Sequence, residues 1–497
     1  MVATPTFAQQ NLSFELNAPG ESTLAGWSLP RSTEDRGYRI DVDTATARDG
    51  GQSLRIAHLN GGDLTRVVQR ISVASLAGAN GVSNRVRLSG YLRSENVAAG
   101  DAVLWLRVDG PGGFIAVDSR GSSVAPGPGD QGGWTRYEIQ APIPDDAREI
   151  AFGALLRGAG TAWFDDFAIQ MLDARTLPAP SATARRYIDA ALEIMQQHSI
   201  NRGSIDWQTF RAATLDQARG SINIGDAHLA LRFALRNLGD HHSYFVTPQT
   251  AASLDAAPVG NARTGRKPVQ PSGVLLDGAF GYVALPGFAG GTPMDQVQFA
   301  ESIHQLIKGL DSSKACGWIL DLRGNSGGDL WPMLAGIGPL LDEGEIGASL
   351  YPDGSRIPVW YRDGKAGFGE YVQLRVRGTP YRVMATSAPL ALLIGSSTAS
   401  AGEVILMAFH GRENTLTFGA PTRGLSTGNR IFPLSDGAEL VLTVAATSDR
   451  SGRVYSGSIA PDRVVPEAGG AVVTESASDE TVTAAALAWL KQQTGCD

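Results

Sequence analysis

The chain has 497 residues, of which 43% are hydrophobic and 19% charged, and a formal net charge of −8. This composition is typical of a globular protein, and the length predicts a multidomain chain of about two to four units. The negative charge argues against nucleic-acid binding, which depends on clustered Lys and Arg. No apolar run approaches the roughly 18 residues of a membrane-spanning helix, so no membrane span is predicted.

The first ten residues, MVATPTFAQQ, resemble the small-residue end of a secretory signal whose charged and apolar parts are absent. We therefore treat 1–10 as a signal remnant and predict export, to the periplasm or outside the cell. The two cysteines, Cys316 and Cys496, form no CxxC site, and the sequence leaves open whether they pair.

Residues 11–173 predict an all-β sandwich. Short segments alternate apolar and polar residues at a period of two, and Gly, Asp, Asn or Pro separates them about every ten residues. These segments include SLRIAHL, RVRLSGYLRS, AVLWLRVDG, EIAFGALLRG and TAWFDDFAIQML.

The sequence pattern predicts a helical subdomain at residues 174–239 and an α/β domain at residues 240–497. After the linker-like stretch LPAPSAT, apolar residues recur at steps of three and four, which indicates about three amphipathic helices. Beyond Gly239, strand patterns such as GWILDLRGN alternate with helical patterns such as MDQVQFAESIHQLIKGL.

Ser400 lies where the apolar run APLALLI turns into the helical pattern AGEVILMAF. The free amides at a helix start can stabilise an oxyanion, so a serine there suits acyl transfer. The structural alternative is that one of the hydroxyl residues in this turn caps the helix, the candidates being Ser396, Ser397, Thr398 and Ser400.

A nucleophilic serine needs a base, because its hydroxyl is weakly nucleophilic at neutral pH. The distinctive histidines are His241 and His242 in GDHHSYF, where polar titratable groups follow a predicted helix end. Of the others, His58 lies in the predicted sandwich and His410 ends the helix after Ser400. The three in or beside amphipathic helices are most simply solvated surface groups; they are His198, His228 and His304. No third ligand recurs at metal spacing near the pair, so a catalytic metal is not predicted.

The segment GWILDLRGNSGGDLW carries Asp321 and Arg323 from a buried strand into a glycine-rich turn. Its glycines allow a close backbone approach to a ligand. No Lys-Ser/Thr pair follows, so it is not a phosphate loop. In isolation, a structural turn is the simpler reading.

Taken in order, GDHHSYF, ILDLRGNSGG and SSTASAGE resemble the serine peptidase family of tail-specific (C-terminal processing) and tricorn proteases and retinoid-binding-protein repeats. The resemblance covers roughly 180–470. It implies a helical bundle followed by a crotonase-like (ClpP-like) spiral core. It also implies that Ser400 is the nucleophile and that the amides of Ala401 and of Gly327 or Gly328 form the oxyanion hole.

The family has two catalytic branches, and this sequence resembles one of them. The tail-specific branch uses a lysine about 25 positions after the serine, where this chain has Leu425. The tricorn-like branch uses a histidine from an Asp-x-His-Ser motif. The resemblance therefore implies His242 as the base, with His241 as the fallback.

The resemblance leaves the group that orients the histidine unidentified. In the tricorn pattern a glutamate supports the base through the adjacent serine, but Ser456 stands at that position here. Ser243 could still bridge to Ser456, or Asp240 or Asp449 could serve instead.

The N-terminal sandwich resembles galactose-binding-like jelly rolls of the carbohydrate-binding-module type, through NLSFE, GGQSLRI and TAWFDDFAI. That resemblance implies a structural Ca²⁺ held by Glu15, Asp49 and Asp166, and a carbohydrate or protein contact. Core packing is the simpler role for the tryptophans of this region, namely Trp27, Trp105, Trp134 and Trp163.

The sequence thus predicts a serine hydrolase, in first place a peptidase, that acts on a peptide or small acyl substrate through an acyl-enzyme and needs no catalytic cofactor. One alternative is an esterase or lactonase using the same site. The other, from a different class, is a non-catalytic ligand-binding relative. The sequence does not predict the oligomeric state.

Overall fold

The computed structural model describes residues 11–16, 24–29, 37–58, 64–76, 85–98, 101–111, 113–121, 133–143, 146–248, 250–252, 269–289, 292–313, 315–465 and 475–493. The chain divides into two compact units. The first comprises Met1–Ala190 and Trp207–Ala234, and the second comprises Ala191–Asp206 and Leu235–Asp497.

Two sequence-based predictions fall outside these residues. The signal remnant at 1–10 lies outside them, so export stays a prediction. Cys316 is disulfide-bonded, whereas Cys496 lies outside the described residues. Within the described parts of the chain, each helix is too short or too polar for a membrane span.

The first unit contains two antiparallel sheets. The five-stranded sheet has the order β1 (Tyr38–Asp43), β2 (Ser53–His58), β9 (Gly160–Leu172), β4 (Arg85–Glu95) and β7 (Thr135–Pro142). The four-stranded sheet has the order β3 (Thr65–Ser72), β8 (Glu149–Leu156), β5 (Ala102–Gly110) and β6 (Gly113–Gly121), and a short helix α1 (Val73–Leu76) follows β3.

The two sheets of this unit share one apolar core. Leu54 and Phe164 from the five-stranded sheet and Leu104 and Phe152 from the four-stranded sheet belong to the same buried cluster. Alternation along each strand places these side chains inward. The unit is therefore a sandwich at this level of description, and its jelly-roll topology stays a prediction. The four tryptophans singled out in the sequence are all buried.

Helices α2 (Ala182–His198), α3 (Trp207–Gln217) and α4 (Ile224–Arg236) follow the sandwich, in the region where the sequence predicts about three. A short 3₁₀ segment at Ala174–Thr176 precedes them. The side chain of Arg85 on β4 is 1% exposed and donates to the carbonyls of Gln217, the last residue of α3, and of Arg219. This buried guanidinium joins the sheet to the helical segment inside the first unit.

The second unit is built on a mostly parallel six-stranded sheet. Its order is β11 (Ser272–Leu276), β12 (Phe280–Ala284), β13 (Gly317–Asp321), β18 (Leu390–Ile394), β19 (Thr415–Gly419) and β23 (Arg463–Val464). Only the β11–β12 pair is antiparallel among these. Strands β13 and β18 are buried along their whole length, as expected of a parallel sheet covered on both faces.

Helices cover both faces of this sheet. Trp318 and Leu320 of β13 pack with α5 (Pro293–Ser312), α6 (Leu330–Ile337) and α7 (Ala401–Ala408) in one cluster. Ile319, which points to the opposite face, packs with α8 (Glu475–Leu490) in another. The predicted α/β layering is present, while the crotonase-like spiral stays a prediction.

A second, antiparallel sheet completes this unit. Its main path is β10 (Tyr244–Val246), β21 (Glu439–Asp449), β14 (Gly344–Leu350), β15 (Arg356–Arg362), β16 (Lys365–Phe368) and β17 (Tyr371–Arg375). Strands β20 (Gly428–Pro433) and β22 (Val454–Tyr455) also pair with β21, and a 3₁₀ segment, Gly338–Leu340, precedes β14. Strand β21 therefore connects β10, which follows the histidine pair, to the rest of the sheet.

Candidate active site

Ser400 occupies a sharp turn between the buried strand β18 and helix α7. Its backbone has φ 54° and ψ −122°, a region that non-glycine residues rarely adopt. The turn is held from inside, since Thr398 Oγ1 donates to the carbonyl of Leu322 at 2.8 Å and accepts from Gly395 N at 3.1 Å. A strained serine at the start of a helix is an arrangement found at functional sites.

The glycine-rich turn after β13 packs directly on Ser400. A Cβ at Gly327, which has φ 95°, would lie 2.7 Å from Ser400 Cβ and 3.1 Å from Ala401 N. Asn325, which is fully buried, accepts at its carbonyl from Ala399 N at 3.0 Å. The segment that begins at Asp321 thus packs against the serine turn through Asn325 and Gly327.

The candidate oxyanion donors differ in availability. The amide of Gly327 donates to Asn325 Oδ1 at 3.0 Å. Among the described residues, the amides of Gly328 and Ala401 make no hydrogen bond. Gly328 and Ala401 are therefore the two candidate amides that remain able to bind an external oxygen.

Glu403 is the centre of a buried hydrogen-bond network on α7. It is 0% exposed, and its carboxylate accepts from Ser400 N at 2.9 Å and Thr422 Oγ1 at 2.6 Å. It also accepts from Gly424 N at 2.9 Å and Leu425 N at 2.7 Å. The segment that follows β19 is thereby fastened to the start of α7.

Leu425 is a spatial neighbour of Ser400. The amides of both residues donate to the same oxygen, Glu403 Oε2. The residue at the position of the family's lysine is thus beside the serine, but its side chain has no titratable group.

His242 is buried, with 7% of its surface exposed, and lies in the loop before β10. Burial lowers the pKa of its imidazole below the ordinary value, and the charge of Asp240 opposes this shift. Its Nδ1 lies 2.9 Å from Thr427 Oγ1, and its carbonyl accepts from Asn429 Nδ2 at 3.1 Å. The fallback, His241, is exposed.

Asp240 and Ser243 shape the loop that carries His242. Asp240 accepts from the amides of His242 and Ser243, at 2.9 and 2.7 Å, and from Ser243 Oγ at 2.7 Å. Ser243 Oγ in turn accepts from Thr443 N on β21 at 2.9 Å. Both side chains are thus used to hold the backbone of this loop.

The remaining candidates for an orienting group lie elsewhere. Ser456 is exposed in the turn after β22. Asp449 accepts from Tyr455 Oη at 2.7 Å, and this hydroxyl lies 2.5 Å from His410 Nδ1. Asp449 is therefore bound to Tyr455 rather than to His242, and Ser243 is bound to Asp240 and Thr443 rather than to Ser456.

The loop 422–427 connects the two halves of the candidate site. Its first part binds Glu403 beside Ser400, and its last residue, Thr427, binds the ring of His242. Sequence reasoning identified Ser400 and His242 but assigned no role to Glu403 or Thr427. A Ser-x-x-Glu capping box was a signal for Glu403, whereas a lone threonine carries none.

The carboxylates predicted to hold Ca²⁺ lie in the first unit. Burial raises the pKa of Asp166, as do the charges of Asp49 and Glu15, so the three groups interact. Glu15 Oε1, however, accepts from the amides of Gly51 and Gln52, both at 2.9 Å. In the described part of the chain, no three His, Cys, Asp or Glu side chains are placed to hold a metal ion. As placed, these residues do not form a cation cage.

Comparisons with known proteins cover part of the chain. Residues 279–465 match the profile of Peptidase family S41. The Nisin-resistance protein of Lactococcus lactis subsp. lactis is 26% identical over 349 residues, which is 69% of this chain and 96% of that protein. The carboxyl-terminal-processing protease of Synechocystis sp. is 30% identical over 188 residues, 38% of this chain and 38% of that protein.

A solved structure shares the fold. The structure of a lipoprotein from Streptococcus agalactiae aligns with a TM-score of 0.50 at 22% identity, and the alignment covers 63% of this chain and 97% of that one. The family match includes Ser400, Gly327 and Gly328, and His242 precedes it in the chain.

Replacing Glu403 by Gln tests the buried network. The amide nitrogen of glutamine cannot accept a hydrogen bond, so some of the donors to this side chain lose their partner. These donors belong to Ser400, Thr422, Gly424 and Leu425. We expect the free energy of unfolding to fall by about 1–3 kcal/mol. Hydrogen exchange at the amides of Gly424 and Leu425 should accelerate. The matched control is Glu413→Gln, at an exposed carboxylate. Unchanged exchange at both amides would contradict the network.

Proposed function

The chain carries a peptidase family S41 domain at residues 279–465, and we propose that it is a serine-type peptidase in which Ser400 is the nucleophile and His242 the base. The observation that carries the proposal is the loop 422–427, which contacts both the serine turn, through Glu403, and the imidazole, through Thr427. The proposed substrate is a peptide, because the family is a peptidase family.

The chemistry follows from the groups at hand. His242 takes the proton from Ser400 Oγ as the hydroxyl attacks the substrate carbonyl, and the negative charge that develops on the carbonyl oxygen is bound by the amides of Gly328 and Ala401. The protonated imidazole then gives its proton to the leaving amine, and the acyl-enzyme forms. A water molecule, deprotonated by the same histidine, hydrolyses this ester.

The apolar side chain of Leu425 supports a histidine rather than a lysine base. Leu425 shares a carboxylate oxygen with Ser400, and it cannot accept a proton. The buried His242, by contrast, is a neutral imidazole over a wide pH range, since its pKa is lowered by burial. A group that is neutral near pH 7 is suited to act as a general base.

Ser400→Ala tests the nucleophile. We expect kcat/KM on peptide substrates to fall at least about a thousandfold, because no other group can form the acyl-enzyme. Covalent labelling by a fluorophosphonate should also disappear, as measured by intact mass. Ser397→Ala, at an exposed serine in the same turn, is the control that should keep both. Labelling that persists in the Ser400 variant would refute the assignment.

The pH dependence tests the base. A general base must be neutral, so activity is present above the pKa of His242 and is lost as the pH falls through it. Because burial lowers that pKa from 6.5, the acidic limb of kcat/KM should have its midpoint below pH 6.5. The measurement uses a fluorogenic peptide without titratable groups, with circular dichroism to show that the protein stays folded. A midpoint above 6.5 would exclude His242 in this environment.

We also propose a structural Ca²⁺ in the first unit, supported by the charges of Asp49 and Glu15, which each raise the pKa of Asp166. If these carboxylates rearrange around the ion, millimolar Ca²⁺ should raise the thermal midpoint of the wild type, and EDTA should reverse the effect. Asp166→Asn should remove this response. Equal midpoints with Ca²⁺ and with EDTA would show that no such site forms.

A further inference from the structure

The ring nitrogen of His242 that faces the protein has a neutral partner. Nδ1 lies 2.9 Å from the hydroxyl of Thr427, at the end of the loop 422–427. In serine hydrolases the imidazole works only if Nδ1 carries the proton and Nε2 has a free lone pair. The partner of Nδ1 decides which tautomer is present.

We propose that Thr427 is the positioning residue of His242, in the place that a carboxylate takes in a Ser-His-Asp site. This inference rests on the proposed function, in which His242 is the base. The hydroxyl accepts a hydrogen bond from Nδ1–H, and this fixes the ring and leaves Nε2 free to take the proton of Ser400.

The carboxylates that the sequence offered as orienting groups are bound to other groups. Asp240 accepts from two backbone amides and from Ser243 Oγ, so it supports the backbone of the loop rather than the ring. Asp449 is bound by Tyr455, Ser451 and Arg453. Thr427 is therefore the side chain that the structure aligns with the imidazole.

Hydrogen bonds also fix the position of Thr427 relative to Ser400. The loop is fastened to α7 by the bonds from Gly424 and Leu425 to Glu403, and Arg423 N donates to the carbonyl of Thr398 at 2.9 Å. Two residues beyond Thr427, Asn429 donates to the carbonyl of His242. Its Oδ1 accepts from Thr443 Oγ1 at 2.9 Å. One short segment thus sets the position of the base relative to the serine.

A neutral partner has a chemical consequence. A carboxylate at Nδ1 would stabilise the imidazolium and raise its pKa, whereas a hydroxyl adds no charge. Thr427 contacts the ring, and the segment 424–429 around it contains no titratable side chain, while Arg423 and Arg430 flank this segment. On β21, Glu439 and Asp449 are at the two ends of the strand, and Asp240 is the charged group that acts on the imidazole.

The first experiment compares Thr427→Val with Thr427→Ser. Valine keeps the shape and removes the hydroxyl, so we expect kcat/KM to fall about tenfold, the value of one hydrogen bond. Serine should restore most of the activity. Thr415→Val makes the same change at a residue on β19 outside the loop and should leave kcat/KM unchanged. Thermal midpoints of all variants show whether each one is folded.

The tautomer of His242 is a readout that does not depend on turnover. In ¹⁵N-correlated NMR spectra of the wild type, His242 should show a protonated Nδ1 and an unprotonated Nε2; the signal is assigned by its loss in His242→Gln. Thr427→Val should shift the ring toward the other tautomer or a mixture. A folded Thr427→Val protein with the wild-type tautomer and wild-type kcat/KM would overturn the proposal.

A carboxylate at the same position gives the complementary result. In Thr427→Asp, a negative charge beside Nδ1 raises the pKa of the imidazole, so the acidic limb of kcat/KM should move to higher pH. An unmoved limb in a folded variant would show that position 427 does not contact the base.

Failure of the proposed function gives a different pattern of results. If Ser400→Ala and His242→Gln retain full activity, the catalytic assignment is wrong, while the NMR comparison still decides whether Thr427 orients the imidazole. If both of these variants are inactive, and Thr427→Val keeps the wild-type kcat/KM and the wild-type tautomer of His242, the proposed peptidase function stands and the role of Thr427 is wrong.

Discussion

The candidate site depends on one buried carboxylate. Glu403 is fully buried in the second unit, and burying a carboxyl group is costly unless hydrogen-bond donors replace its lost hydration. Its donors come from two places, the amide of Ser400 and the segment at Thr422, Gly424 and Leu425. The cost of burying this polar group is therefore recovered only when the serine turn and the loop are together.

The parallel sheet delivers the groups that meet at this carboxylate. Strands β13 and β18 are neighbours and run in the same direction, so the segments that follow them emerge at the same edge of the sheet. Asn325 and Gly327 come from the first segment and Ser400 from the second. Their contact requires a residue without a side chain at 327, because a Cβ would lie 2.7 Å from that of Ser400. The positive φ of Ser400 is maintained by this packing, as strained conformations must be.

The proposed base, His242, is positioned by the antiparallel sheet. His242 precedes the match to the peptidase family and belongs to the loop before β10, an edge of the antiparallel sheet. Strand β21 joins β10 to β20, and β20 begins at Gly428, directly after Thr427. The pairing of these strands thus brings the histidine loop to the segment that Glu403 holds. The proposed nucleophile and the proposed base, which come from two sheets, are connected through one loop.

Much of this architecture could be predicted from the sequence. Period-two segments predicted the sandwich strands, the three- and four-residue steps predicted α2 to α4, and the apolar runs GWILD and LALLI predicted buried strands. These predictions depend on local patterns, in which the periodicity of each element is written directly into the side chains. The replacement of the family's lysine by Leu425 was also readable, because it needed only a count of positions from Ser400.

Other features required the tertiary structure. Asp449 was a candidate to orient the histidine by residue type alone, but the fold gives it to Tyr455. Thr427 has no sequence signal, since a hydroxyl acquires a role only from the atom placed 2.9 Å away. The sequence by itself determined which residue types were available, the local elements and the place of Ser400 where a strand turns into a helix. The tertiary structure decided which partner each polar group received, because hydrogen bonds between residues far apart in the chain depend on strand pairing and burial, and neither is encoded in local spacing.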